Sequence, residues 1–310
     1  MKRYTIFLFT LLAVLASCSS DDDDDNGGSS KNANSNANPA IEAAYTRLEM
    51  PHVKDGSRIL VHTFSSSQYG FSNTVNYITE WDDQLGAQRW SAYVMDKTMM
   101  QSHTKRYESS SNQYPFDPLL PEEASPTKDY YWRSGYDHGH ICPSADRLCT
   151  REANIQTFYL TNMQPQIKDF NRGVWKKMES KVHDLAKQNN YTWCDELYVC
   201  KGGTIDGGSY GGKNKVYKTI SGVLPVPRYF FMALLREKTG TDGQKHYNAM
   251  AFWIDQTVSR YYTMEDLSQF AITIDELEYR TGIDFFCNLP DDIENKVEAT
   301  AVSPALWGLQ

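Results

Sequence analysis

The chain has 310 residues with 40 % hydrophobic content, enough to bury a sizeable core in one globular domain, and no repeat of fixed period divides it. Its formal charge of −8 at pH 7 is not the global signature of a nucleic-acid binder. The six cysteines match no zinc-ligand spacing, which excludes a zinc-finger framework and leaves them as structural residues.

Met1-Lys2-Arg3 followed by Tyr4 to Ala16 has the charged start and short apolar core of an export signal, too short and wrongly flanked for a stable membrane span. It ends in Leu15-Ala16-Ser17-Cys18, which resembles a bacterial lipobox. The resemblance implies that residues 1–17 are a signal peptide and that Cys18 is acylated as the mature N-terminus. The protein is then exported and held to the bacterial outer membrane by a lipid anchor. Asp21 to Asp25 and the Gly/Ser/Asn-rich run to Asn38 carry no compact apolar pattern, so residues 18–43 read as a disordered acidic tether. An acidic run directly after a lipidated cysteine also resembles the surface-export signals of some Gram-negative lipoproteins. Removing residues 1–17 takes Lys2 and Arg3 with it and moves the charge to −10. The globular domain is expected over residues 44–310.

Within that domain, residues 58–64, 76–81 and 88–95 are rich in β-branched and aromatic residues and predict successive antiparallel strands. Residues 101–130 are a long Ser/Pro/Asn/Asp-rich loop, a length usually kept for function. Tyr136 to Arg147 then crowds two histidines, two aspartates and an arginine together. If its first half is extended, His138 and His140 point from one face of a strand that Pro143 ends. Thr157 to Asn162 predicts the next strand. From Asn171 onward Val174, Trp175, Met178, Val182, Leu185 and Ala186 follow helical spacing, so Asn171 opens an amphipathic helix, where Asn is also a preferred N-cap. Between Asp146 and Lys187 eight basic residues face five acidic ones, which allows a local basic surface beside the motif. Residues 196–203, 216–218, 229–235 and 250–254 add strands, and Thr273 and Asp275 carry capping signals for a short helix. With Cys18 lipidated, Cys142, Cys149, Cys194, Cys200 and Cys287 remain, an odd number that leaves at least one thiol free.

Two of these stretches carry more. Tyr136-Asp137-His138-Gly139-His140-Ile141-Cys142-Pro143 and Thr161-Asn162-Met163-Gln164-Pro165-Gln166, continued by Phe170-Asn171-Arg172-Gly173-Val174-Trp175 and Glu179, together resemble the DNA/RNA non-specific endonucleases of the ββα-metal (His-Me finger) group. The likeness runs from about Tyr45 to Glu298. It departs from the family's Asp-Arg-Gly-His at one place, His138.

The resemblance implies an α+β fold, a central mainly antiparallel β-sheet flanked by helices, carrying the ββα-metal active-site motif. It implies a metal-dependent endonuclease hydrolysing DNA and RNA with little sequence specificity. His140 is then the general base, since an imidazole with a reference pKa near ~6.5 is largely neutral at pH 7–8. Asn171 is the ligand of a single Mg²⁺, with Mn²⁺ as a substitute, because a neutral hard oxygen suits an ion that keeps most of its waters. Glu179, roughly 12 Å further along the helix axis, is better placed to hold a water of that ion than to bind it directly. Arg106 matches an arginine that stabilises the phosphate under attack. Arg147 and Asn162 match supporting or substrate-contact positions, and His138 would reach phosphate with a single donor where an arginine offers two. Two alternatives stand beside this one: a zinc hydrolase site built on His138, His140 and Asp146, and a catalytically weak nucleic-acid-binding or adhesion lipoprotein that keeps the fold.

Overall fold

The computed structural model describes residues 43–309 together with Asn32 and residues 34–36; the expected signal peptide and Cys18 lie outside the described residues. The organising element is a seven-stranded, wholly antiparallel sheet. Its strands, in chain order, are β1 (Arg58–Ser66), β2 (Phe71–Asp82), β3 (Ala87–Asp96), β6 (Glu196–Gly203), β7 (Tyr229–Thr239), β8 (Lys245–Asp255) and β9 (Ala271–Ile272), and they lie side by side in that same order. β4 (Asp137–His140) and β5 (Met163–Gln166) form a separate two-stranded ribbon between β3 and β6 in the chain.

Both faces of the large sheet are covered, which explains why β7 reads as an unbroken apolar run from Tyr229 to Leu235. Period-2 alternation sends Tyr77, Tyr93, Val199, Phe230 and Met232 to one face. There they meet Met178, Val182 and Leu185 of the long helix α2 (Lys176–Tyr191) and Trp175 just before it. The neighbours Ile78, Ala92, Cys200, Phe231 and Ala233 point to the other face. They pack under α3 (Ile274–Thr281) and α4 (Asp291–Ala299) through Ile274, Leu277 and Val297. The expected α+β architecture is therefore present. Thr273 caps α3 as its sequence signals, accepting from the Glu276 N–H.

Two expectations are corrected. Thr157 to Asn162 is not a strand: after α1 (Arg151–Gln156) the chain turns and ends in a 3₁₀ turn at Leu160–Asn162, and pairing begins only at Met163. The Asn162 side chain bonds the Thr157 carbonyl, which closes this turn and overrides local β-propensity. The tether expected to be disordered over residues 18–43 is in part docked. Asn32 donates to the Leu289 carbonyl at 2.7 Å, and Asn36 donates to the Pro51 carbonyl at 2.8 Å. Asparagine amides supply the donors and acceptors that let a polar segment lie against a domain. The five cysteines at 142, 149, 194, 200 and 287 are all free and buried. Burial, the dominant influence, pushes the Cys142 thiol up to about 12.

On the far face α3 and α4 bring acidic residues together. Burial first, and neighbouring carboxylates after it, push Glu298 up to about 10 and Glu278 up to about 8. No helix among the described residues is long and apolar enough to cross a membrane.

Candidate active site

β4 and β5 pair with His140 opposite Met163 and Asp137 opposite Gln166. Gly139 makes the pairing possible, since a Cβ there would stand 2.2 Å from Gln166 Cδ. The chain then enters a helical turn at Lys168–Phe170, widens into a π-helical turn over Asn171–Trp175, and continues as α2. Asn171 therefore is not the N-cap that its residue type predicts. The helix begins three residues earlier, and Ile167 occupies the cap position. A π-helical turn re-aims the side chains within it and is common at functional sites. Gly173 sustains it with φ −100° and ψ −113°, and its Cα faces the Tyr262 carbonyl so closely that a Cβ would lie 2.3 Å from the oxygen.

The ribbon and helix open onto a cleft of about 560 Å³ that Arg106, His138, His140, Asp146, Asn171 and Glu179 line. His140 sits edge-on to Phe158, ring centroids 4.8 Å apart. Its Nε2 is enclosed with no hydrogen-bond partner among the described residues. A buried nitrogen left without a partner is costly unless a reaction uses it. Burial, then the charges of Arg106, His138 and Lys201, lower the imidazole to about 3, so it is neutral across the physiological range. Arg106 comes out of the long 101–130 loop and stacks over Phe158, its guanidinium carbon 4.7 Å from the ring centroid. It makes no ion pair among the described residues.

Asn171 donates its Nδ2 hydrogen to Asp137 Oδ2 at 3.0 Å. The same carboxylate receives both arms of Arg172, at 2.9 and 3.2 Å. Asp137 thus fixes which way the Asn171 amide points, leaving its carbonyl oxygen for another partner. Glu179 accepts from Lys201 Nζ at 2.6 Å. Lys201 is 1 % exposed and rests over Trp175 at 5.0 Å. Burial raises Glu179 above the usual carboxylate range, and the Lys201 charge works against it.

His138 is directed elsewhere than expected. Its ring is stacked between Tyr114, at 3.7 Å, and Tyr131, at 4.4 Å, and its Nε2 lies 3.0 Å from Asp129. Burial alone would raise Asp129, but the hydrogen bond and charge of His138 hold it below its usual value. The residue pins the 101–130 loop to β4, and its Nε2 is spent on that loop.

Arg147 and Asn162, unlike His138, do not line the cleft, and the substrate contacts expected of them are corrected. Arg147 is fully buried and gives its Nε, Nη1 and Nη2 to the carbonyls of Asn76, Asp146 and Val94. Asn162, equally buried, accepts from the Cys142 N–H and donates to the Cys142 carbonyl, both at 2.9 Å. It anchors the chain two residues beyond His140. The expected basic surface is narrower than the charge count suggests: Arg172 and Lys176 line the cleft, whereas Lys177 is paired with Glu265.

Sequence reasoning missed three participants. Lys201 was signalled by its place in a strand otherwise built of buried residues, where a lysine needs a partner. Asp137 lies inside the quoted motif, but only the fold shows that it clamps Asn171. His183 is four residues after Glu179, hence on the same helix face, and its Nδ1 meets Asp146 Oδ1 at 2.7 Å in the cleft wall.

The family profile of DNA/RNA non-specific endonucleases matches residues 55–292. The chain belongs to that family. It is 29 % identical over 230 residues to a nuclease of Nostoc sp., covering 72 % of this chain and 75 % of that protein. It is 28 % identical over 261 residues to the mitochondrial nuclease of Saccharomyces cerevisiae, covering 77 % and 76 %. It is 26 % identical over 246 residues to the mitochondrial endonuclease G of Caenorhabditis elegans, covering 77 % and 76 %. A solved EndoG/EndoGI complex shares its fold with a TM-score of 0.58 at 23 % identity, covering 76 % of this chain and 89 % of that one. As a DNA/RNA non-specific endonuclease, the protein takes nucleic acid as substrate. The family is one of divalent-metal-dependent nucleases.

Proposed function

We propose that this endonuclease uses His140 as general base and Asn171 as the protein ligand of a single Mg²⁺, which Mn²⁺ would replace, and that it cleaves both DNA and RNA. The observation that carries the reading is the meeting of His140, Asn171, Glu179 and Arg106 around one cleft. The donor set fits the ion: the Asn171 amide is held through its nitrogen by Asp137, so a hard neutral oxygen is offered, and Glu179 is the nearby carboxylate on the same helix. Bound there, the metal would polarise the phosphate and stabilise the leaving 3′ oxygen. A zinc site on His138, His140 and Asp146 has no support, because His138 is turned to Asp129 and Asp146 to His183.

His140 accepts the proton of the attacking water. Arg106 is what depresses its basicity after burial, and a phosphate in the cleft neutralises that charge, so the base strengthens when substrate arrives. The unpaired guanidinium faces the charge that develops on the phosphate. Glu179, paired with Lys201, whose charge opposes the rise that burial imposes, orients water at the metal side of the cleft. Phosphate is held by Arg172 and Lys176 at the rim rather than by His138.

We further propose that Cys18 is lipidated and that the enzyme is exported and anchored to the outer membrane, where its substrates are extracellular DNA and RNA. The lipobox-like Leu15-Ala16-Ser17-Cys18 supports this. Degradation of plasmid DNA and of RNA with Mg²⁺, and its loss in EDTA, tests the catalytic reading; Asn171→Ala should need more metal for the same rate. Cleavage that survives EDTA would sink it. Cys18→Ala should leave the membrane fraction, and a wild-type protein that is never membrane-associated refutes the anchor.

A further inference from the structure

The face of the sheet opposite the cleft carries a second concentration of charge that the nuclease reaction does not use. α3 contributes Asp275 and Glu278, the turn after it Asp284, and α4 Glu294 and Glu298. One carboxylate oxygen each of Asp275, Glu278 and Glu298 lie within 4.8 Å of one another, and so do those of Asp284, Glu294 and Glu298. Glu298 belongs to both trios.

Acidic residues often gather on surfaces where water screens them; here Asp275 is exposed, Glu278 and Asp284 are half-buried, and the remaining two are withdrawn from water. Glu294 is 4 % exposed and Glu298 is 7 % exposed. Among the described residues no lysine or arginine pairs with Glu278, Asp284, Glu294 or Glu298. The arginine at this end of α3, Arg280, is turned to Glu276. Glu298 Oε1 is buried and has no hydrogen-bond partner among the described residues, and a carboxylate oxygen of Glu298 lies in both trios. Buried carboxylates are found paired, bound to metal or held protonated, because removing an unpaired charge from water is too costly. A second oxygen is in the same condition. The Asn34 amide donates to Asp284 Oδ2 at 3.0 Å and to Glu294 Oε1 at 2.9 Å, and its own Oδ1 is buried and unpartnered.

We propose that this cluster is a binding site for a calcium-class divalent cation, with Glu298 as the ligand common to both trios. All the donors are hard oxygens, and they are many and drawn from separate elements. Ca²⁺ takes six to eight such oxygens in flexible geometry, whereas Mg²⁺ demands a near-ideal octahedron and keeps its waters. The ion ties α3, the Asp284 turn and α4 together and, through Asn34, fastens the segment preceding the domain to it. It is separate from the metal of the nuclease reaction.

The test uses the full chain stripped with EDTA, with CaCl₂ as the probe and no magnesium. Wild type should show a higher Tm in millimolar Ca²⁺ and saturable binding by calorimetry. Asn171→Ala should keep both. Glu298→Gln should lose the Tm rise and weaken Ca²⁺ at least about tenfold, while cleaving plasmid in Mg²⁺ at the wild-type rate. Without Ca²⁺ it should be about as stable as wild type, since burial already favours the neutral Glu298 carboxyl and Gln keeps its size. Should Glu298→Gln not fold, Asp284→Asn at the more open edge reads the same loss. Absence of any Ca²⁺ effect on wild type, a Ca²⁺ effect unchanged in the folded variants, or one abolished by Asn171→Ala would each overturn the proposal.

Discussion

Replacing Lys201 by methionine separates the chemistry of Glu179 from its packing. The ammonium lies 2.6 Å from Glu179 Oε1 and is 1 % exposed, whereas the Glu179 side chain keeps 20 % of its surface in the cleft. Methionine retains the apolar contact with Trp175 but removes the only cation paired with Glu179 among the described residues. Breaking one side of a buried pair costs about 3–5 kcal/mol, and the opening to the cleft places this case at the lower end. About 3 kcal/mol corresponds to a Tm fall of roughly 6–12 °C for a domain of this size. The pH dependence follows from the direction of the shift. Burial already raises Glu179, and Lys201 opposes it, so the variant raises the carboxyl further. A carboxyl whose folded pKa lies above its unfolded one favours the fold when protonated. The penalty is therefore full above the raised folded pKa and shrinks as pH falls through it. Activity moves in the opposite sense: if the ionised carboxylate is needed, the acid limb of kcat/KM shifts to higher pH. Thermal melts and pH–rate profiles on plasmid DNA measure both. Melts and acid limbs that superimpose on wild type would refute the role given to the pair.

His140→Ala should fold, bind DNA and lose about 10²–10⁴-fold in kcat; a wild-type rate would dismiss the base. Because the imidazole stands at about 3, substrate-free kcat/KM should show no His140-dependent fall between about pH 5 and 8, measured against an Asn171→Ala control. His138→Ala removes two ring contacts and should lower stability by about 1–3 kcal/mol, seen by urea unfolding, while His138→Arg should leave the KM for DNA unchanged; a lower KM would restore the phosphate contact first expected of that position. Gly173→Ala forces a methyl against the Tyr262 carbonyl and should raise the metal concentration needed for half-maximal rate, and an unaltered metal titration would show that the π-helical turn does not set Asn171.

Much of the fold was legible because its signals are local. The strands β1 to β3 and β6 to β8 announce themselves by β-branched and aromatic runs, and Val174, Trp175, Met178, Val182, Leu185 and Ala186 are all buried as their helical spacing predicts. The residue types of the reaction, an imidazole, an amide oxygen, a carboxylate and an arginine, were legible for the same reason: chemistry restricts identity, and motif spacing preserves it. What tertiary structure alone decided is what each side chain faces. Arg147 and Asn162 have the composition of substrate contacts and are spent inside on carbonyls, because buried backbone groups must be satisfied. His138 looked like a weakened phosphate donor until Tyr114, Tyr131 and Asp129 converged on it from a loop whose path no local pattern specifies. The Asp137 clamp, the Lys201 partner of Glu179 and the carboxylate cluster around Glu298 join residues far apart in the chain. Sequence determines which groups are available; the burial and partners that set their charge and direction exist only once distant segments are packed together.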